Sequence, residues 1–219
     1  MSDAEPSTTT TPADPDAAAA PAVRKRPKPG ERRVQILEAL ATMLEQPGAE
    51  RITTAALAAR LEVSEAALYR HFASKAQMFE GLIEFIEQTV FSLVNQITER
   101  ADDAAGAGTR QAAKIVAMLL QFGEKNPGMT RVMVGDALVF ENDRLQQRMN
   151  QFFDKIEATL RQCLRDAAQA DGAAAPSVQA QVSASLLTAF VVGRLQRFAR
   201  SGFKRMPSEH LEASLALML

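Results

Sequence analysis

Apolar side chains recur at intervals of three and four residues from Val34 onward, and no stretch alternates apolar with polar at the period of two that a half-buried strand requires. That regularity predicts an all-α protein whose core is assembled from helix stripes. Val34, Leu37, Leu40, Ala41 and Leu44 mark the first stripe, and the Pro-Gly-Ala-Glu run at 47–50 stops its helix. A long helix is predicted from Ser74 to about Arg100, striped by Phe79, Leu82, Ile83, Ile86, Val90, Leu93, Val94 and Ile97 and ended by a flexible connector over 101–109. Further helices are predicted over about 110–125, 129–142, 144–169 and 177–200, with a weaker one over 208–218; Asn-Pro-Gly at 126–128 and the segment 171–176 separate them.

A chain of 219 residues, 47% hydrophobic and 23% charged, has material for one or two globular domains. The net charge of −1 conceals an asymmetry: residues 1–23 carry four acidic and no basic side chains, whereas 24–75 carry ten basic and six acidic ones. Thr, Pro, Ala and Asp dominate the first part and offer no apolar face, so 1–30 reads as a disordered tail ending in a basic segment, 24–30. One cysteine, Cys163, allows no internal disulfide, and no Cys/His cluster has zinc spacing, so no metal or cofactor is expected and a cytoplasmic location is. The apolar runs fall far short of the roughly 20 residues a membrane span needs, and no secretory leader pattern opens the chain. Two histidines, no Gly-rich phosphate loop and no nucleophile spaced with a base argue against an enzyme, so no catalytic residue is assigned.

Between the first stripe and the long helix lie two short helices joined by a few residues, TTAALAARL and SEAALYRHF. Thr53 or Thr54 caps the first, and Ser64 caps the second with Glu65 in its opening turn. Such a pair behind a basic approach segment is the arrangement that lays the second helix in a DNA major groove. On a helical wheel Leu68 and Phe72 share the face that packs on Leu57, Leu61 and the first helix. Ala66, Ala67 and Arg70 share the opposite face, flanked by Tyr69 and His71. Small side chains let the backbone sit deep in the groove, Arg70 reaches base edges, and Tyr69 and His71 reach phosphates on either wall. The turn at Leu61-Glu62-Val63 lacks the usual glycine, so a left-handed residue there costs about 1 kcal/mol.

RITTAALAARLEVSEAALYRHFASKAQMFEGL, with Tyr69, Phe72 and Lys75 in register, resembles the DNA-binding domain of TetR-like regulators. MFEGLIEFIEQ, GEKNPGMTR, ALVFENDRLQQRMNQFFDKIEATLRQCLR and FVVGRLQRF are similar to the nucleoid-occlusion members of that family, over about residues 31–207. The resemblance implies a helix-turn-helix domain over 31–75 and a helical dimerisation and partner-binding domain over 76–219. It implies a homodimer on a palindromic site in double-stranded DNA that also binds the division protein FtsZ and blocks ring assembly over the chromosome. Thr53, Thr54, Ser64, Ala66, Tyr69, His71 and Lys75 then line the DNA, and Arg32 and Arg33 steady the first helix on its backbone.

Two surfaces beyond the helix pair carry expectations. Phe85 and Phe91 stand off the stripe of the long helix, either packed on a neighbouring helix or exposed for a partner groove, and the resemblance favours Phe85 as an FtsZ contact. Lys125 and Asn126, ahead of Pro127, either contact that acidic partner or simply end a helix. Phe152, Ile156 and Leu160 on one helix, with Phe190 and Leu195 on the next, are assigned to a four-helix dimer interface, with packing inside the monomer core as the alternative for either face. The alternative is a ligand-responsive repressor of the same fold, disfavoured because the interior helices offer few polar groups to orient a ligand.

Overall fold

A computed structural model describes residues 30–46, 52–99, 106–170 and 172–219. The acidic tail, the basic run at 24–28, the helix stop at 47–50 and the connector at 101–105 lie outside the described residues.

Within the described residues the chain forms α1 (Glu31–Leu44), α2 (Thr54–Arg60), α3 (Glu65–Tyr69), α4 (Lys75–Thr98), α5 (Ala107–Lys125), α6 (Pro127–Met133), α7 (Asp143–Ala170), α8 (Pro176–Arg200) and α9 (Leu211–Met218). A 3₁₀ turn covers Asp136–Leu138, and no strand occurs among these residues. The caps read from the sequence at Thr53 and Ser64 hold in atomic detail, and the structure adds a third at Ser74. The Thr53, Ser64 and Ser74 hydroxyl oxygens accept from the amides of Ala56, Ala67 and Gln77 at 3.1, 3.2 and 3.2 Å, opening α2, α3 and α4. Glu62 takes the left-handed conformation expected of the turn, at φ 54.

Two helix boundaries differ from expectation. The helix predicted over 129–142 is only α6, because left-handed Gly135 at φ 83 ends it and a 3₁₀ turn follows. Val132, Met133, Ala137 and Leu138 are all buried across that break, so their spacing records core burial and not one continuous helix. At the other boundary α5 begins at Ala107, inside the stretch read as a flexible connector. Gly108 is the reason: a Cβ there would lie 2.1 Å from the Cys163 carbonyl oxygen, so glycine lets α5 cross close over α7.

One continuous apolar core joins the helix-turn-helix unit to the bundle, from Ile36 through Phe79 and Phe152 to Leu195. α7 against α8 is the most extensive pairing, and α6 wedges between α1 and α8. A Cβ on Gly128 of α6 would sit 1.9 Å from the Ala41 carbonyl oxygen of α1, so the two backbones touch. Phe72, Phe79, Phe152 and Phe198 are fully enclosed, each worth about 2–3 kcal/mol relative to exposure.

That core takes up four of the five residues assigned to the dimer face, as the alternative reading of those stripes has it. Phe152, Ile156, Leu160 and Leu195 are at most 1% exposed within a single chain, because α7 and α8 turn their strongest stripes toward each other and toward α4 and α5. Phe190 alone of the assigned set keeps part of its surface accessible. The apolar surface left open on α8 is a neighbouring stripe, Val178, Val182 and Leu186, exposed by half or more. The Pro176–Arg200 helix as a whole is long and apolar enough to cross a membrane by length and composition, although one of its faces is packed on α7.

Candidate functional site

The helix pair presents two opposite faces. Leu68 and Phe72 are buried against the core, whereas Thr53, Ala66, Tyr69, Arg70 and His71 are exposed; Thr54 and Ala67 are half-buried. The helix α3 ends at Tyr69, and its last turn tightens as the His71 and Phe72 amides both donate to the Leu68 carbonyl, at 2.9 and 3.1 Å. The outward projections expected of Arg70 and His71 therefore survive on a shorter helix.

Side-chain bonds set the angle between α2 and α3. The Tyr69 hydroxyl donates to the Thr54 hydroxyl at 3.5 Å, and that hydroxyl donates to the Glu65 carboxylate at 2.5 Å. Thr53, Thr54 and Ser64 thus stand at the N-terminal ends of the two helices, and Tyr69, at the C-terminal end of α3, reaches back to Thr54 through its hydroxyl. The Thr53 and Ser64 hydroxyls, whose oxygens accept from helix amides, can donate to phosphate oxygens, while the Ala66 side leaves room for a groove wall.

Two basic residues expected on DNA are engaged inside the protein. Arg33 Nη1 donates to the His71 carbonyl at 2.7 Å, and its guanidinium lies 4.1 Å over the Phe72 ring, so Arg33 fastens α1 to the end of α3. Lys75 Nζ is paired with the Glu141 carboxylate and stands 5.7 Å from the centre of the Phe79 ring. A phosphate at Lys75 has to compete with Glu141, a residue the sequence reading did not connect to this unit because 66 positions separate the two. Arg32 is half-buried on α1.

The remaining candidate residues lie on α4 and at the junction of α5 with α6. Phe85 is 45% exposed, so the ring is not spent on the bundle. Phe91 is, packing edge-on against Phe152 with ring centres 5.5 Å apart. Lys125 is exposed, but Asn126 is occupied, because its amide nitrogen donates to the Phe122 carbonyl at 2.7 Å. Together with Thr130, whose hydroxyl donates to the Gly123 carbonyl at 2.9 Å, Asn126 satisfies the last carbonyls of α5 before Pro127 opens α6.

Comparison with known proteins follows the same division. Residues 36–82 match the bacterial regulatory proteins of the tetR family, and residues 109–219 match a SlmA-like family described as tetracyclin repressor-like, C-terminal domain. The nucleoid occlusion factor SlmA of Vibrio vulnificus strain YJ016 is 50% identical over 192 residues, 87% of this chain and 95% of its own length. The nucleoid occlusion factor SlmA of Aliivibrio fischeri strain MJ11 is 49% identical over 193 residues, 88% and 96% of the two chains. Among solved structures, the fatty acid degradation regulator FadR of Bacillus halodurans has a TM-score of 0.69 at 13% identity, covering 88% of this chain and 97% of its own. The transcriptional regulator FadR of Bacillus subtilis, solved with stearoyl-CoA, has a TM-score of 0.67 at 14% identity over 84% of this chain and 96% of its own. These distant structures share the fold.

Proposed function

The chain belongs to the SlmA family of tetR-type proteins, and from that premise we propose that it is a homodimeric, sequence-specific DNA-binding inhibitor of cell division. It holds nucleoid DNA and FtsZ together and hinders FtsZ ring assembly over the chromosome. The observation that carries this reading is the two-faced helix pair: Leu68 and Phe72 are sealed into the core, while Thr53, Ala66, Tyr69, Arg70 and His71 all remain exposed on one side.

In this mechanism the exposed hydroxyls and His71 contact phosphate, and Arg70 offers a planar fork to a base edge. Arg33 acts indirectly by holding the His71 backbone. A twofold dimer formed through Val178, Val182 and Leu186 sets two α3 helices about one DNA turn, roughly 34 Å, apart on a palindrome. Phe85 and Lys125, exposed outside the DNA unit, are the contacts offered to FtsZ. Mobility shifts on genomic fragments test the first half: the Tyr69→Ala protein should remain dimeric and lose its preferred fragment, whereas undiminished specific binding refutes the groove assignment.

The ligand-responsive alternative has one observation in its favour, an open cleft of about 500 Å³ bordered by Thr98, Gln111, Thr159, Gln162 and Asp166. Against it, the buried Thr130 and Thr188 hydroxyls already donate to the Gly123 and Ala184 carbonyls, and at the cleft itself the Gln111 amide donates to the Thr98 carbonyl and the Gln162 amide to the Asp166 carboxylate.

A further inference from the structure

Beyond the end of α8 the chain folds back over residues 201–210 in a segment fixed at several points. The Ser201 hydroxyl oxygen accepts from the amides of Lys204 and Arg205 at 3.1 and 3.0 Å. Ser208 donates through its amide and its hydroxyl to the Glu124 carboxylate at 2.8 and 2.5 Å. Phe203 packs edge-on against Phe198 at 5.1 Å, with the Arg131 guanidinium 5.4 Å from its centre. Between this segment and α8 lies a cavity of about 470 Å³, lined by Arg194, Arg197, Lys204, Arg205, Met206 and Glu209.

The charge in that cavity is unbalanced. Four cations face one carboxylate, and Arg197, Lys204 and Arg205 have no ion pair with any described residue. Arg194 is partly committed, with Nη2 donating to the Glu209 carbonyl and the guanidinium 5.1 Å from the Phe190 ring centre. Its Nε is nevertheless buried with no acceptor, the one such side-chain atom among the described residues. The C-terminal dipole of α8 accounts for Arg197 and Arg200 in its last turn. It does not account for Lys204 and Arg205, which leave the helix and are brought back to the same cavity by the Ser201 turn.

From this arrangement we infer that the cavity is a binding site for an oligophosphate, either bare or carrying a nucleoside. Guanidinium forks match phosphate oxygens in pairs, and several of them around one concavity neutralise a compact multiple charge that a single carboxylate cannot. The volume falls within the roughly 300–1,000 Å³ of small-molecule sites. A concavity of that size does not admit a duplex, whose phosphates instead meet side chains that project outward. Exposed Met206 supplies an apolar wall for a base in the nucleoside-bearing case. This site is separate from the helix pair and from Phe85, so it stands or falls independently of the division role.

The test is calorimetric titration of the full-length protein with tripolyphosphate and with GTP, at about 0.15 M salt to suppress diffuse attraction, with sulfate as the simple-anion control. Saturable binding of one oligophosphate per chain is expected, with GTP tighter than tripolyphosphate if the nucleoside is read at Met206 and equal if it is not. The Lys204→Ala/Arg205→Ala protein, altered only at exposed side chains, should retain its helicity and bind at least about tenfold more weakly. Arg194 is left intact because it holds the Glu209 carbonyl. Absence of saturable binding, binding no stronger than to sulfate, or equal binding by the double variant overturns the inference. So does loss in that variant of duplex affinity or of dimerisation alone, which would assign the cations to DNA or to a second copy.

Discussion

Replacing Phe85 with alanine separates the two proposed activities. The ring is 45% exposed, and for a side chain of roughly 200 Å² that leaves about 90 Å² open to a partner. Full coverage of that area at about 25 cal/mol per Å² is worth about 2 kcal/mol, so the Phe85→Ala protein should bind FtsZ about 30-fold more weakly. The covered remainder of the ring, about 110 Å², lowers stability by about 2–3 kcal/mol, a loss that a domain with about 5–15 kcal/mol of stability survives. Fluorescence anisotropy with labelled FtsZ measures the first effect, and a mobility shift on the preferred DNA fragment provides the control. DNA affinity should be unchanged, since α3 lies elsewhere. An FtsZ affinity within about twofold of the original, in a protein that still melts cooperatively, refutes the assignment, because 2 kcal/mol corresponds to a far larger change.

Four further outcomes follow from named contacts. In Gly128→Ala the added methyl meets the Ala41 carbonyl oxygen at 1.9 Å and forces α6 from α1; a stability loss of about 1–3 kcal/mol and weaker DNA binding are expected by thermal melt and mobility shift. Val182→Glu places a charge in the exposed α8 stripe, so sedimentation velocity should record a monomer with unchanged helicity and reduced affinity for a palindrome. Glu141→Gln releases Lys75 to phosphate, and the dependence of log affinity on log salt should steepen by about 0.9 if one more phosphate is neutralised. Burial first, and the Asp166 charge second, push the Cys163 thiol above its ordinary value of 9.0. The protonated thiol is thus favoured by folding, its contribution to stability is complete below the unfolded value and fades as pH rises through the folded one, and a thiol reagent should modify it slowly until the protein unfolds.

The elements legible in the sequence were those fixed by neighbouring residues. Thr53 and Ser64 announced their helices because a hydroxyl at the cap needs only an amide three positions on. The two faces of α3 were equally legible, since Leu68 and Phe72 against Ala66 and Arg70 is a pattern within one turn or two. What depends on distant partners was not. Arg33 and Lys75 look free in the sequence, yet the His71 carbonyl and the Glu141 carboxylate occupy them. Dimer and core faces are hard to tell apart for a related reason: the strongest stripes on α7 and α8 are those the chain buries against itself, and the weaker Val178, Val182 and Leu186 stripe is the one left open. The cavity at Arg194 was missed because its cations lie partly on a helix and partly on a turn, with no common period.

The most direct measurement of the central claim is sedimentation of FtsZ polymers with the purified protein, in the presence and absence of DNA bearing its preferred site. The proposed function predicts less FtsZ in the pellet when the DNA-loaded protein is present, and restoration of the pellet by Phe85→Ala at unchanged DNA occupancy. An undiminished pellet in both tubes, from a protein that binds its site normally, would contradict it.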